Sequence, residues 1–168
     1  MNYMKNYRLL ILSALVALAL ASCRGYEVGD YYSRGDVSGL VLKVDDEGAP
    51  LMLLSMDEVA DLDADSALLW GTTYDDGGWR LPDKEEMAYI NKYRSLVNAT
   101  LARRQEPQMM GPNTYYWTAT PCSETHVFAC GPLGLKCFFR TNHSPLYRAR
   151  AVRYLDLEHH NSDNKLKQ

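Results

Sequence analysis

Basic residues are in short supply: 21 Asp and Glu stand against 18 Lys and Arg. Two of those bases, Lys5 and Arg8, fall in the first 22 residues, so the remainder has 21 acids against 16 bases and a net charge of −5. That balance excludes a nucleic-acid partner, which needs a basic footprint, and gives no electrostatic route onto an anionic membrane. Long apolar runs are missing as well. Outside residues 9–21 nothing approaches the roughly 20 apolar residues of a membrane-crossing helix. There is no Gly-x-Ser-x-Gly elbow, no His-Glu-x-x-His pair and no phosphate-cradling glycine loop. The expectation is a non-enzymatic chain that carries no cofactor and no metal.

What is present first is a leader. Lys5 and Arg8 precede an apolar run from Leu9 to Ala21, the layout of a secretory signal. It ends in Leu20-Ala21-Ser22-Cys23, which looks like a bacterial lipobox: a branched apolar residue, two small residues, then the cysteine whose thiol takes the lipid. The alternatives are cleavage after Ala21 or Ser22 with a free Cys23, or an uncleaved anchor. A buried methylene contributes about 0.8 kcal/mol, so several acyl chains on Cys23 tether a protein without any spanning helix. The expected layout is a signal at 1–22, a tether at 23–30, one domain at 28–156 and a polar, disordered tail at 157–168. The expected place is an outer membrane or cell surface, and the membrane is the first partner.

Three further cysteines follow, an odd count in a compartment that permits disulfides. Cys130 and Cys137 flank Gly-Pro-Leu-Gly-Leu-Lys between two strand-like runs, so they are the expected pair. Cys122–Cys130 is the next choice, and free thiols remain open.

Residues 39–44 and 51–56 are apolar runs joined by Asp45-Asp46-Glu47-Gly48, a hairpin signal. Residues 57–69 are acidic and read as an irregular turn or a short helix. After Trp79-Arg80-Leu81-Pro82, Asp83 and Glu86 form a capping-box pattern. Met87, Ile90, Val97 and Leu101 then recur at helical spacing, predicting one principal helix that ends near Arg103-Arg104. Runs at 115–120, 126–130, 137–141 and 147–155 read as strands. This order predicts an α+β fold with a mainly antiparallel, twisted sheet. In the last run Ala149 and Ala151 are expected on one face, with Arg148 and Arg150 on the other.

The series Gly78-Trp79-Arg80-Leu81-Pro82, Tyr116-Trp117-Thr118-Ala119-Thr120 and Arg148-Ala149-Arg150-Ala151-Val152-Arg153 resembles a family signature. It is similar to the C-type-lectin-like domains of exported bacterial proteins, among them the DUF1566 (legionella collagen-like C-terminal) group and the Fibrobacter succinogenes major paralogous domain. The resemblance covers about residues 28–155 and implies a C-type-lectin-like fold with its binding chemistry on loops. Many relatives carry a further helix before Trp-Arg-Leu-Pro, where this chain is short and acidic. Trp117 is expected to be a core anchor.

Metal motifs fail on inspection. The Glu-Pro-Asn and Gln-Pro-Asp sugar motifs of calcium-binding lectins are absent, and Asp61-Leu62-Asp63-Ala64-Asp65 lacks the glycine and distal glutamate of a calcium loop. Cys122, His126 and Cys130 are too far apart on a strand, where four residues span about 13 Å. The leading expectation is a ligand-binding module for a glycan or a surface protein. The candidate face is Tyr115, Arg140, Asn142, His143, Tyr147 and Arg148. A structural subunit of a surface or fimbrial assembly is the alternative, and an enzyme of formylglycine-generating-like fold is the third.

Overall fold

The apolar runs at 39–44 and 51–56 do pair as a hairpin. Strands β1 (Tyr31–Arg34), β2 (Val37–Val44) and β3 (Pro50–Leu54) are antiparallel neighbours. Asp45 closes the β2–β3 turn by accepting the N–H groups of Glu47 and Ala49 at 2.9 and 2.7 Å. Gly48 takes φ +81° there, an angle that a Cβ resists. The protein is seen here as a computed structural model that describes residues 25–76, 78–140 and 144–155. The leader, Cys23 and the tail lie outside the described residues.

A short β4 (Val59–Leu62) leads into α1 (Ala64–Thr73). The stretch at 57–69 therefore holds a short strand and the start of a ten-residue helix. Asp63 is the N-cap: its carboxylate accepts the Ser66 N–H at 2.7 Å, and that bond holds the carboxyl below its ordinary value. Ala64, Ala67 and Gly71 form the buried side of α1. At Gly71 a Cβ would come within 2.8 Å of the Leu81 backbone nitrogen, so the helix packs there on its glycine.

Beyond Pro82 the capping box forms as expected. Asp83 accepts from the Glu86 N–H at 2.7 Å, and Glu86 accepts from the Asp83 N–H at 2.9 Å. The single long helix, however, is two: α2 (Lys84–Lys92) and α3 (Arg94–Arg103), broken at Tyr93 with φ −100° and ψ 12°. The break lets α3 lean on the N-terminal segment, where Thr100 donates to the Gly29 carbonyl at 2.6 Å and a Cβ on Gly29 would meet Leu96. Met87, Ile90, Val97 and Leu101 are all fully buried, so the apolar spacing was sound although the axis bends.

The remaining strands are β5 (Tyr116–Ser123), β6 (His126–Gly131), β7 (Gly134–Phe139), β8 (Tyr147–Ala149) and β9 (Val152–Tyr154). They complete two sheets, ordered β1-β2-β3-β9 and β4-β8-β5-β6-β7. All pairings are antiparallel except β5 with β8. The chain is thus an α+β domain. Sheet one is covered on both sides: Leu40, Leu42, Met52 and Leu54 face α2 and α3, and Val41 and Leu53 pack with Trp79.

Two expectations for the C-terminal half are corrected. The run at 147–155 is not one strand, because it leaves the larger sheet after Ala149 and joins the smaller one at Val152. Arg148 and Arg150 do share a side, both meeting Glu58, but the chain is enclosed at that crossing, where Ala149, Arg150, Ala151 and Val152 are all fully buried. The disulfide joins Cys122 to Cys137, not Cys130 to Cys137. A tight turn pairs Gly131 with Gly134, so Cys130 faces Leu135 and Cys137 faces Phe128. Strand β5 is irregular on either side of Pro121, and Cys122 comes within 6.3 Å of Cys137, Cα to Cα. Cys130 is a free, buried thiol, and burial pushes it up to about 11.

Candidate functional site

Four aromatic rings gather on one face of the larger sheet. Tyr115 and Trp117 are two residues apart and so share a side of the chain entering β5. Phe138 on β7 and Tyr147 on β8 come to the same cluster. Tyr115 and Tyr147 stack with centroids 5.0 Å apart and planes at 29°. Phe138 meets both edge-on, at 5.3 and 4.9 Å. Trp117 lies beneath, fully buried, with its ring 5.1 Å from Tyr147 and its Nε1 donating to the Leu62 carbonyl at 2.8 Å. It is the core anchor expected of it.

The surface above this anchor is half-buried aromatic. Burial, with Tyr115 alongside, raises the Tyr147 hydroxyl above its ordinary pKa, so it remains a neutral donor. The Tyr115 ring rests on Gly131, where a Cβ would come within 2.6 Å of it. Lys136 sits 5.7 Å from the Tyr115 centroid, within range of an attraction to its negative face. Arg140, just after β7, ion-pairs with Asp65 in the first turn of α1.

The proposed face is therefore only partly one face. Tyr115 and Tyr147 come together, while Arg140 is paired with Asp65 on α1. Asn142 and His143 lie outside the described residues. Arg148 does not join them. It is in register with Tyr116, and both belong to the other side of the sheet, where they meet Glu58. Strand parity carried this signal, since adjacent residues 147 and 148 cannot both face one way. Phe138 was missed, because its place beside Tyr115 depends on the register of β5, β6 and β7.

The opposite side holds a closed polar network. Glu58 accepts hydrogen bonds from the Tyr116 hydroxyl and Arg148 Nη1, and from Arg150 Nε at 3.3 Å. Arg150 gives three further donors to carbonyls: Ser55 at 2.9 Å, Met56 at 2.6 Å and Pro107 at 2.7 Å. Burial and Glu58 together push the Tyr116 hydroxyl well above its ordinary pKa, so it also stays protonated. The Glu58 side chain is only 4% exposed, and the network joins segments that are far apart in the chain. Nothing local in the sequence marked Glu58 for this role.

Among the described residues no three His, Cys, Asp or Glu side chains converge as a metal site. Of the acids that resembled a calcium loop, Asp63 caps α1 and Asp65 pairs with Arg140. Cys122 is tied to Cys137, and Cys130 is buried in the core under α2 and α3. Compared with known proteins, the chain matches no family model and no curated protein.

Proposed function

We propose that this chain is an exported lipoprotein, held to an outer membrane or cell surface through Cys23, whose lectin-like domain binds a glycan or protein ligand without catalysing a reaction. The observation that carries the reading is a disulfide-tied sheet that presents Tyr115 and Tyr147 as a stacked, half-buried pair. Disulfides persist in oxidising, extracytoplasmic compartments, which supports export. Stacked tyrosines on a rigid sheet supply contact area at little cost in conformational entropy, which supports binding. The C-type-lectin-like reading draws support from β9 closing the sheet that begins with β1, and from Trp79-Arg80-Leu81-Pro82 at the entrance to α2. The non-enzymatic reading is supported by Glu58, whose oxygens are taken, and by Cys130, a buried thiol pushed up to about 11.

The test is a glycan and surface-protein binding screen of the wild type beside Tyr115→Ala/Tyr147→Ala. A ligand retained by the wild type and lost by the double variant is expected; a ligand bound equally by both overturns the site. Membrane retention and normal maturation of Cys23→Ser would overturn the anchor. The second reading, a structural subunit of a surface assembly, is favoured by one observation. Leu133 at the β6–β7 tip and Leu146 before β8 are 90% and 61% exposed, large apolar side chains left open to solvent. Stoichiometric co-purification of a partner, lost on Leu133→Ser, would favour it.

A further inference from the structure

Of the segment expected to be a tether, residues 25–30 belong to the fold. Gly25 lies against Gly48 in the β2–β3 turn, so closely that a Cβ on it would come within 2.8 Å of the Gly48 Cα. The Tyr26 N–H donates to the Gly48 carbonyl at 2.8 Å, and the Gly29 N–H to the Val41 carbonyl at 2.8 Å. The chain thus joins the domain at the β2–β3 turn and runs antiparallel to β2 until Arg34 meets Val37.

Cys23 is two positions before Gly25. Two residues reach at most about 7 Å, and one headgroup layer is itself about 5–7 Å thick. Acyl chains on Cys23 lie in the hydrocarbon, so the connection spends its reach in crossing the headgroups. The Gly25–Gly48 contact is then held at the membrane surface, with no slack for the domain to swing clear.

The side chains at that end suit the place. Tyr26 is 37% exposed, and tyrosine favours the headgroup level, where its ring and its hydroxyl meet different surroundings. The other described end of the chain comes here too. The Leu155 N–H donates to the Leu51 carbonyl at 3.0 Å, just past the same turn. Beside it the exposed Tyr154 has Lys43 Nζ 3.3 Å from its hydroxyl. Asp46 and Glu47 are exposed in the turn itself. They oppose an anionic surface and suit zwitterionic lipids, whose ammonium groups lie outermost. The β1–β2 turn at Gly35-Asp36 is at the other end of β2, a strand of eight residues that spans about 23 Å.

We propose that the short connection at Cys23 seats the domain end-on against zwitterionic headgroups, with the β2–β3 turn and Tyr26 at the bilayer and the β1–β2 turn facing away. The seat rests on the anchor proposed at Cys23 and adds a fixed orientation to it.

The test uses the full acylated chain in vesicles of phosphatidylethanolamine and phosphatidylcholine that contain a headgroup-nitroxide lipid. Asp46→Cys and Asp36→Cys, each labelled with a small thiol-reactive fluorophore, report the two ends of β2; Cys130 is buried and does not compete for the label. Quenching should be at least threefold stronger at position 46 than at position 36. Ten Gly and Ser residues inserted between Arg24 and Gly25, ahead of the fold, should remove most of that difference. A difference untouched by the insertion would overturn the role given to the short connection. Equal quenching at both positions of an acylated chain, or stronger quenching at 36, would overturn the seat and leave the anchor standing. A Cys23 that carries no acyl group by mass spectrometry would overturn both.

Discussion

Among the described residues, Glu86 and Glu58 both take arginine partners, and the pairs differ in how far along the chain they reach. Glu86 meets Arg80 six residues earlier, in a two-pronged contact with both bonds at 2.7 Å. The same carboxylate completes the cap of α2, so the contact fixes one helix entrance. Glu58 meets Arg150 from 92 residues away. Through Arg150 it ties the end of β3, the loop at Pro107 and the crossing from β8 to β9. The arginine of the local pair has a 44% exposed side chain and that of the distant pair is fully buried. The difference shows what each charge does: one orients a helix start, and the other stands where the chain changes sheets.

The comparison breaks most visibly at Arg150. Removing one partner of a buried charge pair costs about 3–5 kcal/mol, because the other charge is left uncompensated. In Arg150→Ala three backbone carbonyls also lose their donor. Arg80→Ala should cost less, about 1 kcal/mol, since nearly half of its side chain is exposed and Glu86 keeps its bond from the Asp83 N–H. Urea unfolding of the two variants measures the gap. Equal losses would show that the buried network does not join the two sheets energetically.

A second distant tie sharpens the same contrast. Cys122 and Cys137 are 15 residues apart and clamp β5 to β7. A closed loop of that size is worth about 3 kcal/mol through restriction of the unfolded chain. Cys122→Ser/Cys137→Ser should lower stability by about that amount, and the wild type should fall similarly under reductant. Cys130, buried and pushed up to about 11, should stay unalkylated at neutral pH until the protein unfolds. Rapid alkylation of the folded wild type would contradict its placement.

This division between near and far also explains what could be read before the fold was known. The β2–β3 turn, the cap on α2 and the buried helix positions depend on residues within a few places of one another, and all were legible. The Cys122–Cys137 pairing was not, because it depends on a register set by the tight turn at Pro132-Leu133 and on the irregularity around Pro121. The break at Tyr93 sets α3 against Gly29, which lies 71 residues before Thr100 and accepts its hydroxyl. Of the candidate site, Tyr115 and Tyr147 were found as aromatics at strand ends. Arg148 was grouped with them although parity placed it on the reverse side, beside Tyr116.

On the local side the expected effects are smaller. Asp83→Ala removes the bond to the Glu86 N–H and should cost about 1 kcal/mol, the usual value of an N-cap. Loss of several kcal/mol would mean that the entrance to α2 supports more of the fold than its own helix.

The smallest effect is a pH dependence. Burial alone would raise the Glu86 carboxyl, but the Arg80 hydrogen bonds, the Asp83 N–H and the guanidinium charge outweigh it and hold the group below its ordinary value. A depressed carboxyl contributes its stability in full above the unfolded-state pKa, about 4.3 for glutamate. It loses that contribution as pH falls through the folded-state value. The stability difference between wild type and Glu86→Gln should therefore be flat from about pH 6 to 8 and shrink steadily below about pH 4. Half-exposed Arg80 keeps the effect modest, and added salt should reduce it further. A difference that holds constant through acid would mean that Glu86 contributes through hydrogen bonding alone, with no charge component. The near pair would then differ from Glu58 and its arginines in kind as well as in reach.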